Sequence, residues 1–289
     1  MTIERLTEEG RLVELNWRAA WASLRDVPAN PPTLVDDTPD CLRVYTPGAP
    51  DSLLNLVMGY SPPTPTATPV SRDDIEQVIA PYRRERLPMQ WWLMRGGEPE
   101  GLREQLLALG MESWGGAAAM AMPLGVWRAP TPTPPANIAI RRATTDDARA
   151  AALSVICDVF YTPAQPMARW TTENPRFTLY LASMGARPVA ALATFLHARV
   201  AGVYHVATLA NARRRGIAGA LLALALREAQ AAGATQATLT ATPEARRLYE
   251  QVGFVVCGVM EQWAPSHRLA FSLVHGRAPT LAESPYWEG

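Results

Sequence analysis

One stretch restricts the fold of this chain more than any other. Val206 to Gly219 reads Val-Ala-Thr-Leu-Ala-Asn-Ala-Arg-Arg-Arg-Gly-Ile-Ala-Gly. Its apolar opening predicts a strand, its centre a polar turn, and its end a helix start. That helix continues through Ala220, Leu221, Leu222, Leu224 and Leu226 and stops at Gly233, a residue suited to the left-handed position past a helix end. Arg213, Arg214 and Arg215 crowd the helix start, where the macrodipole already places roughly +0.5 elementary charge. An anion would offset that cost, because free N–H groups, the dipole and guanidinium forks together hold phosphate. Gly216 and Gly219 let backbone and anion come close. A surface arginine cluster on an ordinary helix fits the charges equally well.

A second passage follows downstream. Gln236 to Thr240 is a short β-rich run, and Thr242-Pro243-Glu244 predicts a helix start with a capping hydroxyl, proline at the first helical position and an acid in the first turn. The helix runs Ala245 to Val252 and ends at Gly253, with Phe254 opening another apolar strand.

Together these passages resemble the GNAT acyltransferase superfamily. Arg213-x-x-Gly216-x-Ala218 fits its Arg/Gln-x-x-Gly-x-Gly/Ala signature, and Leu248-Tyr249-Glu250-x-x-Gly253-Phe254 its second hallmark. Ile140-Arg141-x-Ala143-Thr144-x-x-Asp147 is similar to a usual opening of the family, so the resemblance covers Ile138 to about Trp263. It implies that Arg213, Arg214, Arg215, Gly216, Ile217, Ala218 and Gly219 hold the pyrophosphate of coenzyme A. It also implies that the strand carrying Val206, Ala207 and Thr208 splays from its neighbour and offers backbone groups to the pantetheine arm. A strand amide would then polarise the thioester carbonyl, and Tyr249 would protonate the departing thiolate. A phenol with a pKa near 10 can give a proton to a thiolate at neutral pH. Taken alone, Tyr249 also suits packing between helix and sheet.

The attacking amine must be neutral, so a base or a water chain is needed. Val189 to Leu196 contains no glutamate or aspartate, a departure from the commoner family pattern. His205 is the nearest candidate, expected to alternate with Val203 and Ala207 on one face of its strand. Bulk-connected water is the other route, and a lone histidine in an apolar strand is usually structural. His197 ranks below His205, and His267 and His275 lie outside the motifs.

Composition excludes several classes. Lys+Arg and Asp+Glu are 27 each, so no global charge favours nucleic acid or an anionic membrane. Cys41, Cys157 and Cys257 are scattered, which disfavours a metal site or a disulfide framework and favours a reducing compartment. The N-terminus is too charged for a signal peptide, and no apolar run approaches the roughly 20 residues that span a bilayer. A cytoplasmic protein without membrane or nucleic-acid partners is expected. Gly-x-Ser-x-Gly, His-Glu-x-x-His, P-loop and dinucleotide fingerprints are missing.

The expected class is α+β, a mixed central sheet flanked by helices, arranged as tandem GNAT-like domains with the N-terminal copy degenerate. The boundaries are 1–128 for the first domain, 129–136 for a stiff proline-rich linker and 137–289 for the catalytic domain with a C-terminal tail. Registering Gly110 with Gly253 puts Leu106 where Tyr249 stands, and nothing upstream matches the arginine-glycine signature. An unrelated α+β first domain is the alternative. The first half predicts a helix over Thr7–Arg25, a turn over Val27–Asp40, strands at Cys41–Tyr45, Ser52–Tyr60 and Met89–Met94, helices at Ser71–Arg84 and Pro99–Leu109, and a strand from Met111 to Met122.

The implied activity is acetyl transfer from acetyl-CoA to a primary amine, without a metal. A coenzyme-A-binding sensor or assembly module that has lost catalysis is the alternative. The acceptor is a small-molecule amine or a peptide N-terminus. Phe160, Tyr161, Trp170 and Tyr204 suit either an aromatic acceptor pocket or the core, and no acidic cluster favours a polycation.

Overall fold

The computed structural model describes residues 6–49, 52–61, 69–128 and 137–266. The linker 129–136, the tail with Trp287, and both His267 and His275 lie outside the described residues. In chain order the elements are α1 (Glu8–Ala22), β1 (Leu34–Asp37), β2 (Leu42–Tyr45), β3 (Leu56–Met58), α2 (Arg72–Glu85), β4 (Gln90–Met94), α3 (Leu102–Ala108) and β5 (Met111–Pro123). The second half continues with β6 (Ile138–Arg142), α4 (Asp146–Phe160), α5 (Ala164–Trp170), β7 (Phe177–Met184), β8 (Arg187–His197) and β9 (Val200–Thr208). It closes with α6 (Ile217–Ala231), β10 (Gln236–Ala241), α7 (Pro243–Val252) and β11 (Val255–Pro265).

Local chemistry sets most helix starts. The Thr7 hydroxyl accepts the Gly10 N–H at α1, and the Thr145 hydroxyl accepts the Ala148 N–H at α4, each with acids in the first turn. Ser71 and Asp74 close a capping box on α2. Thr242 differs from the expected cap: its hydroxyl receives no helix N–H. The Glu244 carboxylate instead accepts its own amide and the Thr242 hydroxyl, which holds it below the usual carboxylate range. The stretch read as a turn over Val27–Asp40 contains β1, and Ser52–Tyr60 resolves into a 3-10 turn followed by the short β3.

The chain forms two compact units, and no single cut separates them. One comprises Met1–Leu6, Pro28–Gly116 and Val259–Gly289, and the other Thr7–Val27 and Ala117–Gly258. A division at 129–136 therefore does not describe the packing, for two physical reasons. The apolar face of α1, with Val13, Trp17, Ala20 and Trp21 buried, lies on β8, β9 and β10 of the second unit. The end of β11 pairs with β4 of the first unit, Met260 opposite Met94 and Trp263 opposite Trp91.

In the first unit β1, β2 and β3 run antiparallel in order, β3 and β4 run parallel, and β11 lies antiparallel to β4. Ile75, Ile79 and Tyr82 of α2 and Leu102 and Leu106 of α3 close its core over Trp91 and Leu93. In the second unit the sheet order is β5, β10, β9, β8, β7, β6, with β9 and β10 parallel and the other pairs antiparallel. Alternate strand residues divide its core. Tyr180, Ala182, Leu192 and Val203 meet α6 and α7 through Leu221, Leu222 and Tyr249, while Phe177 and Tyr204 meet Trp170 of α5.

Candidate active site

Parallel pairing between β9 and β10 runs from Val200↔Gln236 to Gly202↔Thr238 and then ends. Both strands continue, β9 to Thr208 and β10 to Ala241. From Val203 onward the β10-facing edge of β9 therefore has no ladder partner among the described residues. Val206, Ala207 and Thr208 lie on this unpaired length. A strand edge with free N–H and C=O groups is a place for an extended ligand to add.

The other edge of β9 stays paired with β8, but irregularly. Ala193 faces Tyr204 and Ala191 faces Ala207, so His205 and Val206 together oppose Leu192. This is a β-bulge, and His205 takes the left-handed backbone conformation there, with φ 50°. The bulge overturns the alternation expected for His205. Val203 packs in the core beneath α6. Tyr204 and His205, although consecutive, both meet the Trp170 ring, at centroid distances of 5.6 and 4.8 Å. The Phe160 ring stands 5.7 Å from His205 on the same side. Burial pushes the imidazole pKa down to about 4, and Nε2 has no hydrogen-bond partner among the described residues. His197 is also pushed down, by burial and by Arg176.

Beyond β9 a 3-10 turn at Ala210–Ala212 leads into the arginine run. Arg213 is extended, Arg214 left-handed at φ 59°, and Gly216 left-handed at φ 74° as the residue preceding α6. The Arg213 guanidinium folds back, its Nε donating to the Thr208 carbonyl at 3.0 Å, so it braces the loop against its own strand. Arg214 and Arg215 are exposed. Helix α6 has no side-chain cap and no acid in its first turn. Among the described residues the amides from Arg214 to Gly219 reach no acceptor. Alternating backbone twist with free amides at a helix start makes an anion-binding concavity.

Gly216 owes its identity to its positive φ. Gly219 does not, since a side chain there would meet only Leu248 Cδ1 at 3.8 Å. The start of α6 thus lies beside the middle of α7. The next residue on α7, Tyr249, is 5% exposed and lies edge-on to Phe254 at 6.1 Å. It shares a core with Val206, Ala212 and Ile217. Burial pushes its pKa up to about 12, so the phenol stays protonated. The aromatic residues offered as an acceptor wall separate into two kinds. Trp170 and Tyr204 are core, with Trp21 stacked on Trp170 at 4.1 Å and 6°, whereas Tyr161 is 94% exposed at the end of α4.

Residues 144–263 match the family model of the acetyltransferase (GNAT) domain. This stretch is similar to a GNAT domain. It contains the unpaired edge, the arginine loop and Tyr249. The fold likeness extends over both units. A GCN5-related N-acetyltransferase from Kribbella flavida is similar at 20% identity, TM-score 0.67, over 91% of this chain and 98% of that one. Another from Sphaerobacter thermophilus is similar at 16% identity, TM-score 0.59, over 90% and 94%. A tandem GNAT protein from the clavulanic acid biosynthesis pathway is similar at 10% identity, TM-score 0.53, over 87% and 94%. A comparison with curated proteins finds no match. No helix among the described residues is long and apolar enough to cross a membrane. Among the described residues no group of three or more His, Cys, Asp or Glu is arranged to hold a metal ion.

Proposed function

We propose that the chain is an acetyl-CoA-dependent N-acetyltransferase acting on a primary amine. The observation that carries this reading is the divergence of β9 from β10 after Gly202, directly ahead of an uncapped, arginine-rich helix start. An extended, amide-bearing chain ending in phosphates has the two features such a place accepts. The unpaired edge of Val206–Thr208, apart from the Thr208 carbonyl that Arg213 Nε already occupies, suits the amides, and the open amides of Arg214–Gly219 with the Arg214 and Arg215 guanidinium groups suit the pyrophosphate. Bound there, acetyl-CoA supplies an activated thioester.

The chain's own groups account for the rest. Backbone N–H groups on the unpaired edge of β9 can hold the carbonyl oxygen as it gains charge. Tyr249, held protonated, donates its O–H hydrogen toward the departing sulfur. A group with a pKa of about 4 and no carboxylate partner is a weak base at neutral pH. We therefore give His205 a packing role against Trp170 and Phe160 and assign removal of the amine proton to water. We read the first unit as a copy of the same fold without a coenzyme site.

Calorimetric titration with acetyl-CoA, followed by acetylation assays on a panel of small amines and peptide N-termini, tests the proposal. One site per chain and turnover with a panel member are expected. Binding without turnover would leave the sensor or assembly role. An absence of binding would overturn the proposal, and two sites would overturn the reading of the first unit.

A further inference from the structure

Two strands that begin as a parallel pair gain about 0.5–1.5 kcal/mol net with each further hydrogen bond. The separation of β9 from β10 past Gly202 therefore has to be held by something. The β8 ladder holds one edge of β9. A further restraint, besides the packing of α4 and α6 on β9, comes from α1, distant in sequence.

Asn16 sits in the middle of α1 and is 1% exposed. A buried asparagine in a helix interior is unfavourable twice, through propensity and through burial of an amide. Such a residue persists where its bonds are needed. Its Nδ2 donates to the Val200 carbonyl at 3.0 Å, and its Oδ1 accepts the Tyr204 hydroxyl at 2.6 Å. Between these two anchor points lies Gly202, the last rung of the parallel pair. A Cβ on Gly202 would stand 1.9 Å from Asn16 Oδ1 and 2.5 Å from the Tyr204 ring. Glycine is thus what lets the amide reach the strand. Trp17, the next residue, lies edge-on to Tyr204 at 4.8 Å. Tyr204 leads directly into the bulge at His205 and Val206.

We infer that Asn16 is a positioning residue for the co-substrate. It pins β9 on both sides of its last rung with β10 and so sets the free edge that the acyl-CoA reading requires. The inference rests on that reading.

The test compares acetyl-CoA affinity, KM and kcat for the wild type, Asn16→Ala, Tyr204→Phe and Val13→Ala. Val13 is fully buried on the same helix but makes no bond to β9, so its truncation controls for loss of stability alone. Asn16→Ala is expected to raise Kd and KM for acetyl-CoA about tenfold, with a smaller change in kcat. Tyr204→Phe, which keeps the bond to Val200, should raise Kd roughly threefold. Val13→Ala should lower the melting temperature and leave Kd within about twofold. Wild-type affinity in Asn16→Ala would overturn the inference, as would an equal loss in Val13→Ala. If Asn16→Ala does not fold, unchanged affinity in Tyr204→Phe overturns it instead. Failure of the wild type itself to bind would remove the co-substrate reading and this inference with it.

Discussion

The passages β3–α2–β4 and β9–α6–β10 share a layout, a strand and a helix returning to a parallel strand, yet they treat the helix start in opposite ways. At α2 the Ser71 hydroxyl accepts the Asp74 N–H, and the Asp74 carboxylate accepts the Ser71 amide and hydroxyl at 2.9 and 2.6 Å. Those donations hold the Asp74 carboxyl below its usual range, and Asp73 adds a second negative charge. This helix neutralises its own dipole. At α6 the equivalent place holds Gly216, with open amides and flanking arginines. The strands differ in the same sense. All of β3 pairs with β4, from Leu56↔Gln90 to Met58↔Trp92, while β9 leaves β10 with most of its length still to run. The following helices differ too, since fully buried Leu106 on α3 has no hydroxyl to match that of Tyr249 on α7. On the proposed function, competence for a phosphorylated ligand resides in local departures from a well-closed β–α–β passage, and not in the layout.

The strongest way to break this contrast is to close α6 as α2 is closed. Gly216→Asp places a carboxylate among the open amides, on a residue with positive φ, and should weaken acetyl-CoA binding on the order of a hundredfold by calorimetry. Making α7 resemble α3 comes next. Tyr249→Phe should lower kcat about a hundredfold with Kd unchanged, and an undiminished rate would end its role as proton donor. Arg214→Ala removes one cation and should weaken affinity roughly fivefold, an effect that fades as salt rises.

The bulge, present in β9 and absent from β3, has a pH signature. His205 titrates near 6.5 when unfolded and at about 4 when folded. It therefore favours the folded state above pH 6.5, and that contribution is lost as pH falls from 6.5 toward 4. Urea unfolding at pH 7 and pH 4 should show the wild type losing about 1–3 kcal/mol more than His205→Gln. Smallest of all, Ser71→Ala opens α2 at a cost of about 1 kcal/mol in stability. It should create no second acetyl-CoA site, because β3 has no free edge to accompany it.

Much of this was legible in the sequence because it is local. Capping at Ser71 and Thr145, the glycine after α7, and the order of β9, loop and α6 all follow from neighbouring residues. What stayed hidden is non-local or conformational. A left-handed histidine has no marker in the letters, so the sequence shows only plain alternation where the His205 bulge lies. β1 passed as a turn because Leu34–Asp37 is short and half acidic. The Thr242 hydroxyl was expected to cap α7, but Glu244 competes for it. Asn16 gave no signal, since its partners Val200 and Tyr204 lie far along the chain.

The membership of α1 in the second unit, and of the end of β11 in the first, bears on how the protein is made. When the ribosome has finished β5, α1 has been synthesised without the strands it covers, and β4 still lacks the neighbour it will receive from β11. Both cores wait for contacts between the two ends of the sequence, and such long loops close slowly. Apolar surfaces on α1 and beside β4 are therefore exposed throughout elongation, where chaperones would meet them. Neither half should survive excision: residues 137–289 expressed alone would lack the α1 cover on β8 to β10, and 1–128 would lack the strand beside β4.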